Sequence, residues 1–413
     1  MSEQRIFIVG AGQAAVRAAE GMRKRGFDGR IVMLGDEAYP PYQRPPLSKA
    51  FLKGQLEENR LAFKADAWYE GQAIDLRVSA RVERIDTAAR ELIAGEERLA
   101  YDKLILATGS RPLQLPIPGA DLNGVLELRG IDDAKAIKTR LEGLDRLIVV
   151  GGGYIGLEVA AAARQMGRSV TVIERLPRLL SRVTSPEISS FFLDLHRGHG
   201  VDIRLEDSVE RIEGDGSVSA VQLSSGERID ADAVLIGIGV RPNQELAEGA
   251  GIACDDGILV DDHGATSADG VYAAGDCTRR EIDGASVRLE SVHNALDQAD
   301  RIAAHIVSGE DLPFDPPWFW SDQYDVKLQA VGLFNGYDDI RLIGDVGASR
   351  FSALYFRGGT LLAVDSVNDP ATFMSAKTLM KLGVTVTASE IEQSGDNLRD
   401  ILKQARDAAR SDS

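Results

Sequence analysis

Cysteine is scarce in this sequence, which has only Cys254 and Cys277 among its 413 residues. The two do not form a C-x-x-C pair, and neither lies in a cluster with histidine. This excludes zinc ribbons, cysteine-ligated iron–sulfur clusters and dithiol redox chemistry within the chain. Such sparing use of cysteine favours a reducing compartment, and we predict a cytoplasmic protein.

Clustered histidines and long apolar runs are also lacking. The five histidines are scattered, and His196 and His199 have no acidic third ligand at a familiar spacing, so we predict a surface pair and no metal site. No run approaches the roughly 18 apolar residues of a membrane helix, and the first residues show no basic segment followed by a signal-length apolar stretch. We therefore expect no membrane anchor.

Positive charge is in deficit, because 47 Lys and Arg stand against 64 Asp and Glu, a formal net charge of −17. This balance excludes a uniformly basic surface for nucleic acid and a general attraction to anionic lipid, although a local basic patch stays possible. A hydrophobic content of 44% with 27% charged residues is typical of a folded chain. The length is enough for about three domains.

The order strand, glycine turn, helix, strand occurs twice in this chain. Residues 6–9 form an apolar run typical of a buried parallel strand, followed by Gly-Ala-Gly-Gln-Ala-Ala, an alanine-rich stretch and a second apolar run at 30–34. The same order recurs from residues 147–150, through Gly-Gly-Gly-Tyr-Ile-Gly, to 170–174. We interpret this as an internal duplication of a nucleotide-binding unit, and we call the two glycine turns the first and second fingerprints.

Each fingerprint supplies the three small positions of a dinucleotide site. The first position makes the tight turn, the second lets the backbone approach a pyrophosphate, and the third accommodates the contact of helix with strand. The pyrophosphate sits at the helix N-terminus, where free N–H groups favour an anion. The positions are Gly10, Gly12 and Ala15 in the first fingerprint, and Gly151, Gly153 and Gly156 in the second.

An acidic residue ends the strand after each fingerprint, Asp36 in the first case and Glu174 in the second. Such a residue accepts hydrogen bonds from ribose hydroxyls. A carboxylate at Glu174 would also repel the 2′-phosphate of NADPH, so we predict NADH, although the next residue is the cation Arg175.

Longer motifs carry a family resemblance. The first fingerprint, Ala-Thr-Gly at 107–109, Gly-Gly-Gly-Tyr-Ile-Gly-Leu-Glu at 151–158 and Tyr-Ala-Ala-Gly-Asp at 272–276 resemble the two-dinucleotide flavoprotein reductases. Arg-Pro-Pro-Leu-Ser-Lys at 44–49, Glu-Ser-Val at 290–292 and Pro-Trp-Phe-Trp-Ser-Asp-Gln-Tyr at 317–324 are similar to the oxygenase-coupled, NADH-dependent ferredoxin reductases of that family. The match runs nearly end to end and weakens after about residue 370. At the third position of the first fingerprint this chain has Ala15 where many relatives have Gly.

The resemblance implies FAD in the first nucleotide-binding unit and NADH in the second. It implies FAD contacts at Gly10, Gly12, Ala15, Gly35, Asp36, Arg44, Lys49, Val82, Ala107, Thr108, Gly109, Arg129, Asp276, Val292 and Trp320. It implies NAD contacts at Gly151, Gly152, Gly153, Tyr154, Ile155, Gly156, Glu158, Glu174, Arg182 and Gly239.

Three of the implied contacts have particular roles. Asp276 would bind the ribityl chain, Val292 would bring a helix N-terminus to the flavin pyrimidine, and Trp320 would lie beside the isoalloxazine. Cys277 follows within the same flavin-binding motif, so we expect a buried, inert thiol.

Hydride transfer from NADH to a flavin needs stacked rings and exclusion of water rather than a protein nucleophile. The residues implied to act there are Lys49, Ile155 and Glu158. Ile155 would pack near the rings, and Glu158 would bond either the nicotinamide carboxamide or Lys49.

Without a dithiol, the electrons must leave the chain. The resemblance implies a [2Fe–2S] ferredoxin as the partner that receives them, supplying a cytochrome P450 or a Rieske-type oxygenase. The alternatives are a rubredoxin reductase and a nicotinamide-sensing flavoprotein of the apoptosis-inducing-factor type. Because such ferredoxins are acidic, the net charge of −17 predicts a local cationic dock, for which Lys53, Arg301 and Lys377 are candidates. The oligomeric state is left open.

The predicted fold class is α/β, with two Rossmann-like, glutathione-reductase-like dinucleotide-binding domains and a smaller α+β C-terminal domain. The expected FAD domain is discontinuous, over 1–112 and 244–320; the NAD domain covers 113–243 and the C-terminal domain 321–413. In that last domain the patterns predict strands near 327–333 and 352–356, helices over 372–382 and 391–409, and a frayed tail from residue 406.

Overall fold

The computed structural model describes residues 4–411 of this chain, which divide into two compact units. The first unit comprises residues 4–44, Leu56–Arg111 and Val240–Pro313. The second comprises Pro45–Gln55, Pro112–Gly239 and residues 314–411. Within these described residues, none of the helices is both long and apolar enough to cross a membrane.

Single strands alternate with helices over residues 5–34 and 131–198, and runs of strands make up much of the rest of the described chain. The strands are β1 (Arg5–Val9), β2 (Arg30–Leu34), β3 (Ile74–Arg77), β4 (Arg84–Asp86), β5 (Glu91–Ala94), β6 (Glu97–Ala100), β7 (Lys103–Leu106), β8 (Ser110–Pro112), β9 (Val125–Leu126), β10 (Arg146–Val150), β11 (Ser169–Glu174), β12 (Asp202–Leu205), β13 (Val209–Asp215), β14 (Ser217–Leu223), β15 (Arg228–Asp230), β16 (Ala233–Ile236), β17 (Val240–Pro242), β18 (Ile258–Leu259), β19 (Val271–Ala273), β20 (Thr278–Ile282), β21 (Ala285–Val287), β22 (Trp318–Gln323), β23 (Val326–Gly332), β24 (Asp339–Asp345), β25 (Arg350–Arg357) and β26 (Thr360–Val367). The helices are α1 (Gln13–Lys24), α2 (Asp66–Gly71), α3 (Ile131–Gly143), α4 (Tyr154–Gln165), α5 (Pro186–Gly198), α6 (Glu245–Gly249), α7 (Val292–Ser308), α8 (Pro370–Lys381), α9 (Ala388–Gln393) and α10 (Leu398–Ser411).

The main sheet of the first unit is parallel, with strand order β19-β7-β1-β2-β3. Side chains of β1 alternate between two apolar cores, with Ile6 and Ile8 in one and Phe7 and Val9 in the other. Both faces of the sheet are therefore covered, which explains why the sequence shows an unbroken apolar run. Helices α1 and α7 pack together on the Ile6 face.

The second unit contains a similar parallel sheet, with strand order β12-β11-β10-β16-β9. Val150 at the end of β10 lies in register with Ile173 of β11 and Ile236 of β16. The carboxyl ends of these parallel strands meet at one edge of the sheet, where α/β proteins place ligands. Helix α4 starts directly from this edge and is buried along residues 156–163.

A third sheet, also in the second unit, is antiparallel with strand order β22-β23-β26-β25-β24. Helix α8 packs against β23 and β26, and α10 packs against α8 around a common apolar core. The strands predicted near 327–333 and 352–356 correspond to β23 and β25, and the helix predicted over 372–382 corresponds to α8. The predicted fold class is confirmed.

The chain near residue 395 differs from the prediction. One helix was expected over 391–409, but α9 ends at Gln393 and α10 begins at Leu398. Gly395 and Asp396 both have φ of +65°, a left-handed conformation that ends a helix. Helix α10 then continues to Ser411, so the fraying expected from residue 406 is not seen there; residues 412 and 413 lie outside the described part of the chain.

Candidate functional site

The first fingerprint forms an open cradle at the start of α1. Gly10 has φ of +112°, and a Cβ there would lie 2.1 Å from the Ala107 carbonyl oxygen, so only glycine fits. Gly12 is the N-cap of α1, without a side-chain cap, and a Cβ on it would meet nothing within 4 Å. The helix therefore presents its N–H groups to an open face, which fits the pyrophosphate of FAD. Ala15, fully buried, shows that α1 leaves room for a methyl group.

Arg44 is paired with Glu37, an acidic residue that the first fingerprint did not predict. Asp36 follows Gly35 at the end of β2 and is exposed. Its neighbour Glu37 accepts a hydrogen bond of 2.5 Å from the Tyr42 hydroxyl and forms an ion pair with the Arg44 guanidinium. Glu37 thus holds Arg44 in position within the first unit, and a motif that scores one acidic position cannot reveal this.

Two polar pairs order the loop after β7. The Thr108 hydroxyl donates to the Asn243 carbonyl oxygen at 2.6 Å, and the Asn243 amide donates back to the Thr108 carbonyl oxygen at 2.8 Å. The Ser110 hydroxyl donates to Asp276 Oδ2 at 2.9 Å. The predicted residues Thr108 and Asp276 are therefore each held by a partner, Asn243 or Ser110, that sequence reasoning missed.

Helix α7 begins at Val292, as the resemblance implied. Ser291 is its N-cap, and the Ser291 hydroxyl accepts from the Asn294 N–H at 3.0 Å. Of the remaining residues implied to contact FAD in the first unit, Val82 is buried in the core that contains Phe7. Cys277 is also fully buried, and burial raises the pKa of its thiol, so the expected buried thiol is confirmed.

The second fingerprint in the second unit has the same geometry with less room. Gly151 has φ of +106°, and a Cβ there would lie 2.4 Å from the Gly237 carbonyl oxygen. Gly153 is the uncapped N-cap of α4, with nothing within 4 Å of a Cβ. A Cβ on Gly156 would lie 2.5 Å from the Gly151 carbonyl oxygen, so this third position excludes the methyl group that Ala15 carries in the first fingerprint. The cradle fits a second pyrophosphate.

Glu174 closes the second fingerprint at the end of β11. Its Oε2 accepts from the Gly152 N–H at 2.6 Å, and its Oε1 accepts from the Leu176 N–H at 2.8 Å. The carboxylate is thereby fixed beside the glycine turn. Across the strand ends, the exposed Arg182 lies against Gly239, where a Cβ would be 3.1 Å from Arg182 Nη2. The structure thus brings Glu174 to the fingerprint, and Arg182 to Gly239.

A buried carboxylate lies in the second turn of α4. Glu158 is 5% exposed, and its Oε2 accepts from the Ser48 hydroxyl at 2.5 Å and from Lys49 Nζ at 2.6 Å. Its Oε1 accepts from the Ser321 hydroxyl at 2.6 Å. Of the two alternatives for Glu158, the ion pair with Lys49 is therefore present. Ser48 and Ser321 were not predicted, because only the folded second unit brings them to Glu158.

Aromatic and apolar side chains lie at the start of α4 and on strand β22. Ile155 is 42% exposed, an unusual degree for isoleucine, and the Tyr154 ring lies 4.5 Å from the Phe319 ring. Trp320 follows on β22, half-buried, with its ring 5.5 Å from that of Trp318. An exposed isoleucine and a buried acid near the start of α4 suit a planar, partly polar ligand such as nicotinamide.

Three of the predicted cationic residues, Arg129, Arg301 and Lys377, are partly buried. Arg129 stands before α3, and its backbone N–H donates to Asp133 Oδ2 at 2.8 Å. Arg301 is 12% exposed and pairs with Asp297, so its assignment to the local cationic dock is wrong. Lys377 lies 4.7 Å over the Trp318 ring.

Two predictions are left to compare with the structure: Lys53 as part of the local cationic dock, and His196 and His199 as a surface pair. Lys53 Nζ is 3.2 Å from Gln165 Oε1. The expectation of a surface histidine pair is wrong for His196, which is fully buried, whereas His199 is exposed and stacks on Tyr324.

Two Rossmann-like sheets, each with an uncapped glycine turn at the start of a helix, define a class of oxidoreductases that hold two dinucleotides. The chain belongs to one family in this class: the model for "Pyridine nucleotide-disulphide oxidoreductase" matches residues 4–299, and the model for "Reductase C-terminal" matches residues 318–402. Members of this family use FAD as cofactor and NADH as substrate. The predictions of FAD and NADH are therefore confirmed.

Individual relatives agree with this assignment. Rhodocoxin reductase of Rhodococcus erythropolis is 41% identical over 406 residues, which cover 97% of this chain and 95% of that protein. The reductase in the crystal structure of the covalent putidaredoxin reductase–putidaredoxin complex has a TM-score of 0.94 at 39% identity, covering 98% of this chain and 99% of that one. A ferredoxin reductase for the CYP199A2 system from Rhodopseudomonas palustris has a TM-score of 0.93 at 39% identity, covering 97% and 100%.

Proposed function

We propose that this protein is an NADH-dependent ferredoxin reductase that delivers single electrons to a [2Fe–2S] ferredoxin serving a cytochrome P450 or a Rieske-type oxygenase. The observation that carries the proposal is the absence of a dithiol from the sequence, whose only cysteines are Cys254 and Cys277. Cys277 is fully buried, and burial raises the pKa of Cys254 to about 11. Since neither thiol is a ready electron acceptor, the electrons leave for another protein.

The first unit supplies the residues that would hold FAD. When bound, FAD takes up a hydride from NADH and gives up electrons one at a time. The N–H groups after Gly12 bind the pyrophosphate, and Arg44, held by Glu37, adds a positive charge. The start of α7 at Val292 presents a positive helix end to the flavin.

The second unit supplies the residues that bind and orient NADH. Glu174 binds the adenosine ribose and disfavours a 2′-phosphate, so NADH is preferred over NADPH. Glu158, with Lys49, orients the nicotinamide carboxamide, while Ile155 excludes water from one side of the ring.

We extend the proposal to the domain organisation and the compartment. The FAD domain covers 1–112 and 244–320, the NAD domain 113–243, and the C-terminal domain 321–413. In support, the parallel sheet β19-β7-β1-β2-β3 consists of strands from the proposed FAD domain, and the parallel sheet β12-β11-β10-β16-β9 consists of strands from the proposed NAD domain. The antiparallel sheet β22–β26 lies mainly in the C-terminal domain. The protein acts in the cytoplasm, in keeping with two cysteines that are both free.

The test is an anaerobic stopped-flow measurement of flavin reduction by NADH, followed by electron transfer to purified carriers. We expect cytochrome c reduction to depend on an added [2Fe–2S] ferredoxin, with rubredoxin and oxygen as poor acceptors. We expect Glu158→Gln to slow flavin reduction by about tenfold, since loss of orientation at a reacting ring has effects of at least that size. The matched control is Glu392→Gln on the exposed face of α9.

Two other outcomes would contradict the proposal. Faster electron transfer to rubredoxin than to every ferredoxin would indicate a rubredoxin reductase. A long-lived complex of reduced flavin and NAD, with poor turnover to all carriers, would indicate a nicotinamide-sensing flavoprotein.

A further inference from the structure

We propose that Gln323 and His196 are positioning residues for Glu158, joined to it by a directed line of buried hydrogen bonds through Ser321. The inference rests on the proposed function, in which Glu158 orients the nicotinamide. It adds two residues that do not touch a ligand but fix the direction in which the Glu158 carboxylate faces.

The line runs entirely within the second unit. Ser321 Oγ lies 2.6 Å from Glu158 Oε1, and Gln323 Nε2 lies 3.2 Å from Ser321 Oγ. Gln323 Oε1 then lies 2.8 Å from His196 Nε2. All four side chains are at most 5% exposed. Ser321 and Gln323 point to the same side of β22 because they are two residues apart on a strand.

Donor and acceptor chemistry gives the line one direction. The Glu158 carboxylate can only accept, so the single hydroxyl proton of Ser321 is committed to it. Ser321 must then accept from Gln323, which places the amide nitrogen of Gln323 toward Ser321 and its oxygen toward His196. His196 must therefore carry its proton on Nε2, because an oxygen facing an unprotonated ring nitrogen would leave two acceptors opposed.

The surroundings of His196 agree with a neutral ring. Burial lowers the pKa of His196 to about 4, although the hydrogen bond that His196 donates to Gln323 opposes this, so the imidazole is uncharged at neutral pH. The other ring nitrogen, Nδ1, lies 3.4 Å from the Tyr324 hydroxyl, which is able to donate to it. His199 stacks on Tyr324, with ring centroids 3.7 Å apart.

The consequence concerns Glu158 Oε1. In the second unit Ser48 and Lys49 both bind Oε2, so Ser321 is the donor that restrains the other oxygen. If Gln323 no longer donates to Ser321, the serine hydroxyl is free to rotate and the carboxylate loses that restraint. Orientation then suffers more than binding, because the ion pair with Lys49 persists.

The kinetic test measures flavin reduction at several NADH concentrations, which separates the limiting rate from the Kd for NADH. Gln323→Leu is expected to lower the limiting rate by about tenfold and to change the Kd by less than about twofold. The same substitution in a Glu158→Gln background is expected to have no further effect. Gln404→Leu, at an exposed position of α10, is the matched control. FAD content and the urea midpoint establish that each variant is folded.

A second pair of variants tests the donor at position 196. His196→Gln keeps an amide N–H that can reach Gln323 and should retain the wild-type limiting rate. His196→Leu removes the donor and should behave like Gln323→Leu. This pair decides the question if Gln323→Leu fails to fold.

The tautomer of His196 is a readout that does not depend on activity. With only five histidines in the chain, ¹⁵N-histidine NMR resolves each ring, and the signals lost in His196→Gln identify His196. We expect the Nε2–H tautomer in the wild-type protein. An Nδ1–H tautomer would overturn the inference whatever the kinetics show.

The kinetic outcomes separate the two proposals. If Glu158→Gln leaves flavin reduction unchanged, the role of Glu158 in the proposed function fails, and the positioning role fails with it. If Glu158→Gln slows the reaction but Gln323→Leu does not, or if the two effects add, only the positioning role is overturned.

Discussion

Asp365 allows a prediction about how stability depends on pH. Its side chain on β26 is 3% exposed and accepts hydrogen bonds from the Thr184 hydroxyl at 2.6 Å and the Tyr355 hydroxyl at 2.7 Å. Among residues 4–411 it forms no ion pair. Burial raises the pKa of Asp365 from its ordinary 3.8 to about 6, although both hydroxyls partly offset this. The folded protein therefore binds a proton more tightly at Asp365 than the unfolded chain does.

The sign and size of the effect follow from proton linkage. Between about pH 4 and pH 6 the folded state binds more protons than the unfolded state, so the free energy of unfolding falls as the pH rises through this window. A tenfold change in an ionisation constant equals about 1.4 kcal/mol, so the ionised Asp365 costs the folded state about 3 kcal/mol at pH 7. Asp365→Asn removes the charge and keeps a polar group for Thr184 and Tyr355, whose hydroxyls can rotate.

The assay is urea unfolding of the FAD-loaded protein, wild type and Asp365→Asn, at several values between pH 3.5 and pH 8. We expect the variant to gain up to about 3 kcal/mol over wild type above about pH 6 and to lose this advantage toward pH 4. Asp325→Asn, an exposed substitution in the same part of the chain, should show no such pH-dependent difference. A variant that is equally destabilised at every pH, or that loses stability relative to wild type as the pH rises, would refute the reasoning.

Three further predictions concern the first fingerprint, the cap of helix α9 and the thiol of Cys277. Gly12→Ala should fold but bind FAD more weakly, whereas Gly10→Ala, whose methyl group would collide with backbone, should lose the folded holoprotein; equal FAD affinity in Gly12→Ala by fluorescence titration would argue against the cradle. Thr387→Ala should lower the free energy of unfolding by about 1 kcal/mol with unchanged FAD content, because Thr387 and Glu390 form a capping box at α9. Cys277 should react with iodoacetamide only after unfolding, as mass spectrometry would show; rapid labelling of the native protein would contradict its burial.

Some features could be predicted because the backbone itself demands particular residues. Gly10 and Gly151 have positive φ, and a Cβ on either would collide with a backbone carbonyl oxygen, so the sequence must carry glycine there and the pattern is visible without a structure. The break between α9 and α10 is harder to predict, because Asp396 is not glycine although its φ is +65°, and the apolar spacing on both sides predicts one helix.

Contacts between distant residues could not be predicted in this way. Ser48 and Ser321 lie 110 and 163 residues from Glu158 in the sequence, and neither residue type points to a carboxylate. His196 was expected at the surface because a helix pattern does not reveal that Gln323, 127 residues later, covers it. Glu37 was missed because it adjoins the acidic position of the motif.

The order in which the chain passes between its two units has a consequence for synthesis on the ribosome. The chain leaves the first unit after Arg44, returns at Leu56, leaves after Arg111 and returns again at Val240. Helix α1 packs on α7, and Arg17 pairs with Asp300, 283 residues later, at 2.8 Å. At roughly 5–20 residues per second of translation, α1 is exposed for on the order of 15–60 seconds before α7 exists. The first unit is therefore completed late, and the nascent chain has to keep β1 and α1 from aggregating until residues near 300 have emerged.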